Sequence, residues 1–372
     1  MEALQTQLAA LQLSPELRGL LVRAVASARV SKSTGTWLAY EPHIQRWLDF
    51  CSSNGVTPFL PAGDGGLRVS LFLQKVKEEA AQRGVGPSFV SIASAAVSAL
   101  HELVGLPSPS QHPLAAGIRA AAYKELLGSA REKPVATPEE LRKLIDTHLL
   151  AGGDVPLRTR MYVTAAALSF TGLLRFSDLR RVLVHHQLLR FYPDRVEIFL
   201  YAGKTDQQFR GELVSVGRGV APYCPVGLLE QLLQAGGYCQ VPDTAVGPDG
   251  REVEVEDVGP LLRAVRQRGG QQRLQRARAP LPDLIPAISY NTFANGLHAL
   301  FTAAGVERRL PPHSLRRGGA TAAVNGGADR ILVQKLGRWR SANVFEFAYV
   351  RDDGGRSREV TMCMGINPEE TD

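Results

Sequence analysis

From Ser14 onward the apolar residues fall in a helical rhythm. Leu17, Leu20, Leu21 and Val25 recur every three or four positions, after an earlier Leu4, Leu8, Leu11 series. Ser14-Pro15-Glu16 places a capping hydroxyl and a first-turn proline at a helix start. From Ser33 a second helix carries Trp37, Tyr40, Ile44, Trp47, Leu48 and Cys51 on one side, an aromatic stripe that reads as core packing. Gly55, Pro58, Pro61 and Gly63-Asp64-Gly65-Gly66 make a loop; helices are predicted over Leu67–Gln82 and Pro87–Leu103, and a short one over Leu114–Gly128 after Pro107, Pro109 and Pro113. Residues 14–128 therefore predict an all-helical domain of four or five helices, with no recognisable chemistry of its own.

The pattern restarts after the polar stretch Arg131–Thr137. Thr137-Pro138-Glu139-Glu140 combines cap, proline and first-turn carboxylates, so a domain boundary is expected here. Helices are predicted over Pro138–Leu150 and Arg158–Ser169, and Gly172 bends the chain before a helix started by Ser177 or Asp178. Arg195–Tyr201 alternates and is rich in β-formers, and Glu212–Val216 returns, which predicts a β-hairpin with Lys204 at its tip. Further helices are expected over Pro225–Ala235, Val258–Arg268 and Ile288–Ala304, with a mobile Gly/Pro/acidic loop over Gln240–Val255. Arg316–Asn325 and Arg330–Leu336 read as helices joined at Gly326-Gly327, and Val344–Val350 as the helix bearing Tyr349. Residues 352–372 read as a flexible tail. The expected fold class is mainly α with a small β-hairpin or sheet, α+β, in two domains.

Charge changes the picture locally more than globally. The chain of 372 residues has a formal net charge of +7. Between Leu261 and Arg340 fourteen Lys and Arg stand against three Asp and Glu, a local +11, so the rest is slightly acidic. Such a skew favours a polyanionic partner. Arg263–Arg278 reads either as a nuclear localisation signal or as a basic loop, solvated or facing phosphate. Cys51, Cys224, Cys239 and Cys363 have no CxxC spacing and read as free thiols of a reducing compartment. No apolar run reaches membrane-spanning length and Met1 opens no signal-peptide pattern, so a soluble, intracellular protein without membrane partner is expected. No carboxylate cluster or Cys/His spacing suggests a metal, and no cofactor is expected.

The candidate chemistry lies late in the chain. His313 and Arg316 stand three apart in His313-Ser314-Leu315-Arg316-Arg317-Gly318-Gly319-Ala320-Thr321, on one helical face. Imidazole beside guanidinium suits an anionic oxygen. Leu336-Gly337-Arg338-Trp339 and Tyr349 follow. Arg175, in Thr171-Gly172-Leu173-Leu174-Arg175-Phe176-Ser177-Asp178, fits either an ion pair with Asp178 or a phosphate-binding role. Lys204 fits either a solvated tip or a positioned cation.

Taken in order, Arg175, Lys204, His313-x-x-Arg316, Trp339 and Tyr349 resemble the active-site series of the tyrosine recombinases, the lambda-integrase and Cre-like family of site-specific DNA recombinases. Lys204-Thr205-Asp206-Gln207, His-Ser-Leu-Arg-Arg-Gly-Gly-Ala-Thr and Gly-Arg-Trp look most like the DIRS-type and Crypton-type mobile-element recombinases of eukaryotes. One departure is local: ten positions separate Trp339 from Tyr349, one more than in Cre-like relatives, which an insertion in the loop Arg340–Asn343 absorbs. The resemblance implies a helical core-binding (SAM-like) domain over 1–130, a linker over 131–137, and a catalytic domain over 138–351.

It also implies metal-free transesterification. Tyr349 would attack a DNA phosphodiester to give a 3′-phosphotyrosyl link, with Arg175 and Arg316 clamping the non-bridging oxygens. His313 would handle the tyrosine proton or the phosphate, Lys204 would act as acid for the leaving 5′-hydroxyl, and Trp339 would donate its indole N–H. Asp178 would orient Arg175. Strand exchange would run through a Holliday junction within a homotetramer on two double-stranded DNA sites, in the nucleus if the host is eukaryotic. Competing readings are a domesticated DNA-binding protein, a type IB topoisomerase and a telomere resolvase.

Overall fold

The computed structural model describes residues 14–59, 64–126, 134–201, 211–238, 243–246, 252–255, 259–275 and 286–351. The chain divides into two compact units, Met1–Glu132 and Lys133–Asp372. Leu4, Leu8, Leu11, Lys204, Cys239, Cys363 and the tail 352–372 lie outside the described residues. No helix among those described is long and apolar enough to cross a membrane.

The first unit holds α1 (Pro15–Val30), α2 (Thr34–Ser53), α3 (Asp64–Gln82), α4 (Ser88–Glu102) and α5 (Pro113–Leu126). Ser14 and Ser33 cap α1 and α2 by accepting from Leu17 and Thr36 backbone N–H groups. The aromatic stripe of α2 divides. Trp47 and Cys51 are buried with Phe72, Val76 and Val97, and the Trp47 indole donates to the Pro58 carbonyl at 3.0 Å. Trp37 stays half-buried, its indole on the Arg29 carbonyl at 2.8 Å.

The second unit is organised around one helix. Past the capping box of Thr137 and Glu140, α6 (Pro138–Ile145) runs into a π-helical turn, Asp146–Leu150. Then α7 (Leu157–Thr171) is buried at every position from Met161 to Phe170. A helix apolar all round must be enclosed, and α9 (Pro225–Gly236), α10 (Tyr290–Ala303) and α11 (Pro312–Asn325) pack against it. After Gly172, Leu173 takes φ +50 and the chain reverses into the short α8 (Phe176–Leu179).

Among the described residues five ladders of sheet accompany the helices. β1 (Leu183–Val184) pairs antiparallel with β7 (Gly259–Pro260). β2 (Leu189–Phe191), β3 (Arg195–Leu200) and β4 (Glu212–Gly217) form an antiparallel sheet with Ile198 opposite Val214. Val196, Ile198, Leu200, Val214 and Val216 point into the core, as the alternation predicts.

Two expectations fail here. Gln240–Val255 is not simply loop, because β5 (Asp243–Val246) pairs with β6 (Glu252–Val255). Val258–Arg268 is not a helix: it supplies β7 and then β8 (Val265–Arg268), which pairs with β9 (Gln271–Leu274). Gly269-Gly270, at φ +57 and +80, makes the tight turn that sets this hairpin. Arg263, first residue of the expected basic loop, is fully buried; its Nε donates to the Pro260 carbonyl and its guanidinium lies over Tyr238.

The last three helices are α11, α12 (Arg330–Leu336) and α13 (Ala342–Ala348). α11 begins at Pro312, four residues before the expected start, so His313 joins its first turn. Gly318 and Gly319 sit within it, where any Cβ would collide with the Ala136 and Phe170 carbonyl oxygens. Gly319→Ala should therefore lower unfolding free energy by about 1–3 kcal/mol in urea titrations. Gly117→Ala, in open space on α5, should raise it by about 0.4–1 kcal/mol.

Candidate active site

The site is assembled around Tyr349, the residue that closes α13. Ser341 caps α13 by accepting from the Val344 N–H, and Phe345 anchors it as a fully buried side chain. Beyond the helix the backbone is tied to α11. The Thr321 hydroxyl donates to the Tyr349 carbonyl at 3.1 Å and accepts from the Arg351 N–H, while the Asn325 amide donates to the Arg351 carbonyl. Arg330 and Glu346 form an ion pair between α12 and α13. The tyrosine is thus fixed from both sides, through residues the motif reading did not single out.

Three side chains meet the phenol ring. His313 approaches edge-on with ring centroids 5.3 Å apart, and Trp339 edge-on at 4.7 Å. The Arg316 guanidinium carbon lies 5.5 Å from the Tyr349 centroid and 4.1 Å from that of Trp339. His313 is exposed and Tyr349 half-buried, whereas Trp339 and Arg316 are buried. The ten-residue spacing is taken up by a short connection and α13, leaving Trp339 against Tyr349. The Trp339 indole N–H is buried and has no acceptor among the described residues. Most buried donors are satisfied, which makes this unpaired donor unusual.

Arg316 is wholly buried. Its Nη1 donates to the Leu173 carbonyl and its Nη2 to the Gly337 carbonyl, whereas its Nε has no acceptor among the described residues. The guanidinium fork is therefore turned onto protein carbonyls at the turns that follow α7 and α12. Burial, then the nearby charges of Arg175 and Arg338, depresses its pKa; Tyr349 and Asp178 work in the opposite direction. An arginine keeps its proton in such a setting, so this shift expresses how poorly the charge is compensated.

Arg175 caps α8, with its side chain partly open to solvent. Its backbone N–H donates to Asp178 Oδ2 at 3.0 Å, but its Nη1 stands 3.9 Å from that oxygen. The closer guanidinium is Arg338, whose Nη2 donates to Asp178 Oδ2 at 2.6 Å and whose Nε lies 3.2 Å from Glu212 Oε2. Asp178 was expected to serve Arg175; it serves Arg338 more directly. Arg338 and Glu212 were missed because neither side chain recurs in the ordered series. The signal available was Arg338 itself, a charged residue between Gly337 and Trp339.

Three guanidiniums, Arg175, Arg316 and Arg338, thus stand near only two carboxylates, with Asp178 reaching Arg338 and Arg175 and Glu212 reaching Arg338. The cluster has a net positive charge in a largely dry setting, which favours an anion. Among the described residues no group of three or more His, Cys, Asp and Glu side chains is placed to hold a metal. Lys204 lies outside the described residues; the strands that flank its segment, β3 and β4, are paired along their whole length.

No protein-family model matches the sequence, and no curated protein does. Solved structures do resemble it. The XerH site-specific recombinase bound to palindromic difH substrate, a post-cleavage complex, aligns at 15% identity over 81% of this chain and 72% of its own, with a TM-score of 0.51. A lambda integrase dimer bound to a COC' core site aligns at 14% identity over 91% of this chain and 78% of its own, also at 0.51. A lambda integrase tetramer bound to a Holliday junction gives 13% identity over the same shares, with 0.50. The chain has the α+β fold of the tyrosine recombinases and integrases.

Arg316→Lys should test the architecture of the site. One ammonium cannot satisfy the Leu173 and Gly337 carbonyls together while stacked on Trp339. Denaturant titration should show a loss of about 1–3 kcal/mol, the cost of leaving a buried acceptor unpaired.

Proposed function

We propose that this protein is a site-specific DNA recombinase or integrase in which Tyr349 is the nucleophile. One observation carries the reading. The phenol of Tyr349 lies against His313, Trp339 and the Arg316 guanidinium, brought together from α11, the turn after α12 and the end of α13. Arg175 joins the same positive cluster from the start of α8.

Transfer of a phosphodiester to tyrosine needs this inventory. The Tyr349 oxygen bonds to phosphorus, the bond to the 5′ oxygen breaks, and the 3′ side stays on the enzyme as a phosphotyrosyl ester. A phenol has a pKa of ~10 and must give up its proton; exposed His313, edge-on to the ring, is the acceptor. Lys204 protonates the departing 5′-hydroxyl. Charge builds on the non-bridging oxygens. Arg175, partly open, meets one of them. Arg316 meets the other by exchanging a carbonyl partner for an anion, a swap its poorly compensated charge favours. The Trp339 N–H supplies the remaining donor. Bonds of this kind tighten only when the substrate is present.

Double-stranded DNA is the partner in this reading, and the Leu261–Arg340 charge skew would make its affinity fall steeply with salt. The lambda integrase tetramer bound to a Holliday junction supports exchange of strands through such a junction within a tetramer, and the XerH complex with difH supports DNA as the partner. The helical first unit takes the core-binding role and 138–351 the catalytic one. The Lys204-Thr205-Asp206-Gln207 and Gly337-Arg338-Trp339 runs support a mobile-element origin of DIRS or Crypton type, with action in the nucleus.

A nicked suicide duplex decides the chemistry, using duplexes recovered from DNA crosslinked to the protein in cells. Wild-type protein should form a covalent adduct and Tyr349→Phe none. Arg175→Ala should slow adduct formation about 10²–10³-fold, by analogy with loss of one oxyanion donor. No adduct on any such duplex would leave a DNA-binding protein. Plasmid relaxation without exchange would point to a topoisomerase, and hairpin-ended products to a resolvase.

A further inference from the structure

The turn after α12 holds an arginine where glycine is the rule. The Arg338 N–H donates to the Lys335 carbonyl at 2.9 Å and the Trp339 N–H to the Gln334 carbonyl at 3.1 Å. These two bonds make the helix-ending motif whose second residue past the helix is left-handed and is usually glycine. Here that residue is Arg338, at φ +59. Gly337, the glycine that is present, has φ −77 and is needed for another reason: a Cβ on it would collide with the Trp339 ring. A non-glycine residue persists in this conformation only when its surroundings over-determine it, and such residues cluster at functional sites.

The Arg338 side chain shows what sustains it. It is 10% exposed and lies between two carboxylates from separate elements. Nη2 donates to Asp178 Oδ2 at 2.6 Å, and Nε stands 3.2 Å from Glu212 Oε2. Asp178 is the only carboxylate within ion-pair reach of Arg175 among the described residues, and that approach is a loose 3.9 Å. Glu212 opens β4, the strand returning from the segment that carries Lys204.

We propose that Arg338 is a positioning residue of the reactive site: it takes up the Asp178 carboxylate, keeps Arg175 from collapsing onto it, and stands beside Glu212 at the start of β4. Without Arg338, Asp178 is a buried carboxylate 3.9 Å from a guanidinium with solvent access, and the two close into a tight pair. Arg175 is then spent on the protein instead of on an anion. Arg338 thus sets the charge available at the site without touching substrate. This role rests on the phosphodiester reading of the site.

The test pairs Arg338→Gly with Asp178→Asn in the full-length protein. Glycine suits the left-handed position, so Arg338→Gly removes the guanidinium without straining the backbone, while loss of the Asp178 pair lowers the thermal midpoint. Adduct formation on the nicked suicide duplex should fall by about 10–100-fold, the scale seen for partners that orient reactive ligands. Adding Asp178→Asn removes the competing carboxylate and should recover roughly fivefold or more; a merely structural role gives no such recovery. Arg338→Lys, which keeps a cation, should lie between wild type and Arg338→Gly. A double variant no faster than Arg338→Gly overturns the proposal, as does wild-type speed in Arg338→Gly. Should wild-type protein form no adduct at all, the functional reading fails, and calorimetric titration with orthovanadate, a phosphate mimic, decides the role of Arg338 by itself. Binding weakened about tenfold by Arg338→Gly and restored by Asp178→Asn sustains it. Equal affinities, or no binding to the wild type, overturn it.

Discussion

The structure of the site depends on one buried charge. Arg316 has no solvent contact, and its two terminal nitrogens bond the carbonyls of Leu173 and Gly337. Those carbonyls belong to the turns that end α7 and α12, so a single guanidinium holds three segments in register. Neutral carbonyls satisfy its hydrogens but not its charge. Removing a cation from water without an anion is expensive, and the nearby Arg175 and Arg338 add to the cost. The second unit therefore carries an electrostatic cost at this point.

Close backbone approach makes the arrangement possible. Gly318 and Gly319 let α11 lie directly on the Ala136 and Phe170 carbonyls, which brings Arg316 within reach of Leu173. Ala136 also pairs with α11 through a backbone bond to the Ser314 carbonyl. Farther along α11, Thr321 and Asn325 hold the chain on either side of Tyr349 and Val350. One helix thus carries the imidazole, the central guanidinium and the hydroxyl that bonds the Tyr349 carbonyl. A small cluster of Leu173, Ala320, Val324, Val333, Trp339, Phe345 and Val350 encloses the back of the site.

The charges form a graded set. Arg338 faces two carboxylates, Arg316 bonds only neutral carbonyls, and Arg175 has a distant Asp178 and solvent. The least engaged of the three, Arg175, is also the one partly open to solvent. That ordering follows from geometry, because all three residues are arginine.

Local signals decided much of this protein in advance. The helical domain, the caps at Ser14, Ser33 and Thr137, and the β3–β4 alternation follow from near-neighbour chemistry, which a linear reading captures. The order of Arg175, His313, Arg316, Trp339 and Tyr349 was equally legible, since each sits in a short context of its own. Val258–Arg268 was misread because apolar spacing favoured a helix, while the Gly269-Gly270 turn and the pairing of Gly259 with Val184 set strands instead. What only the tertiary structure decided is who partners whom. Asp178 goes to Arg338 across 160 residues, Arg316 to carbonyls rather than outward, and Gly337 to the face of Trp339. Such choices depend on distances between segments remote in the chain, and no periodicity or spacing encodes them.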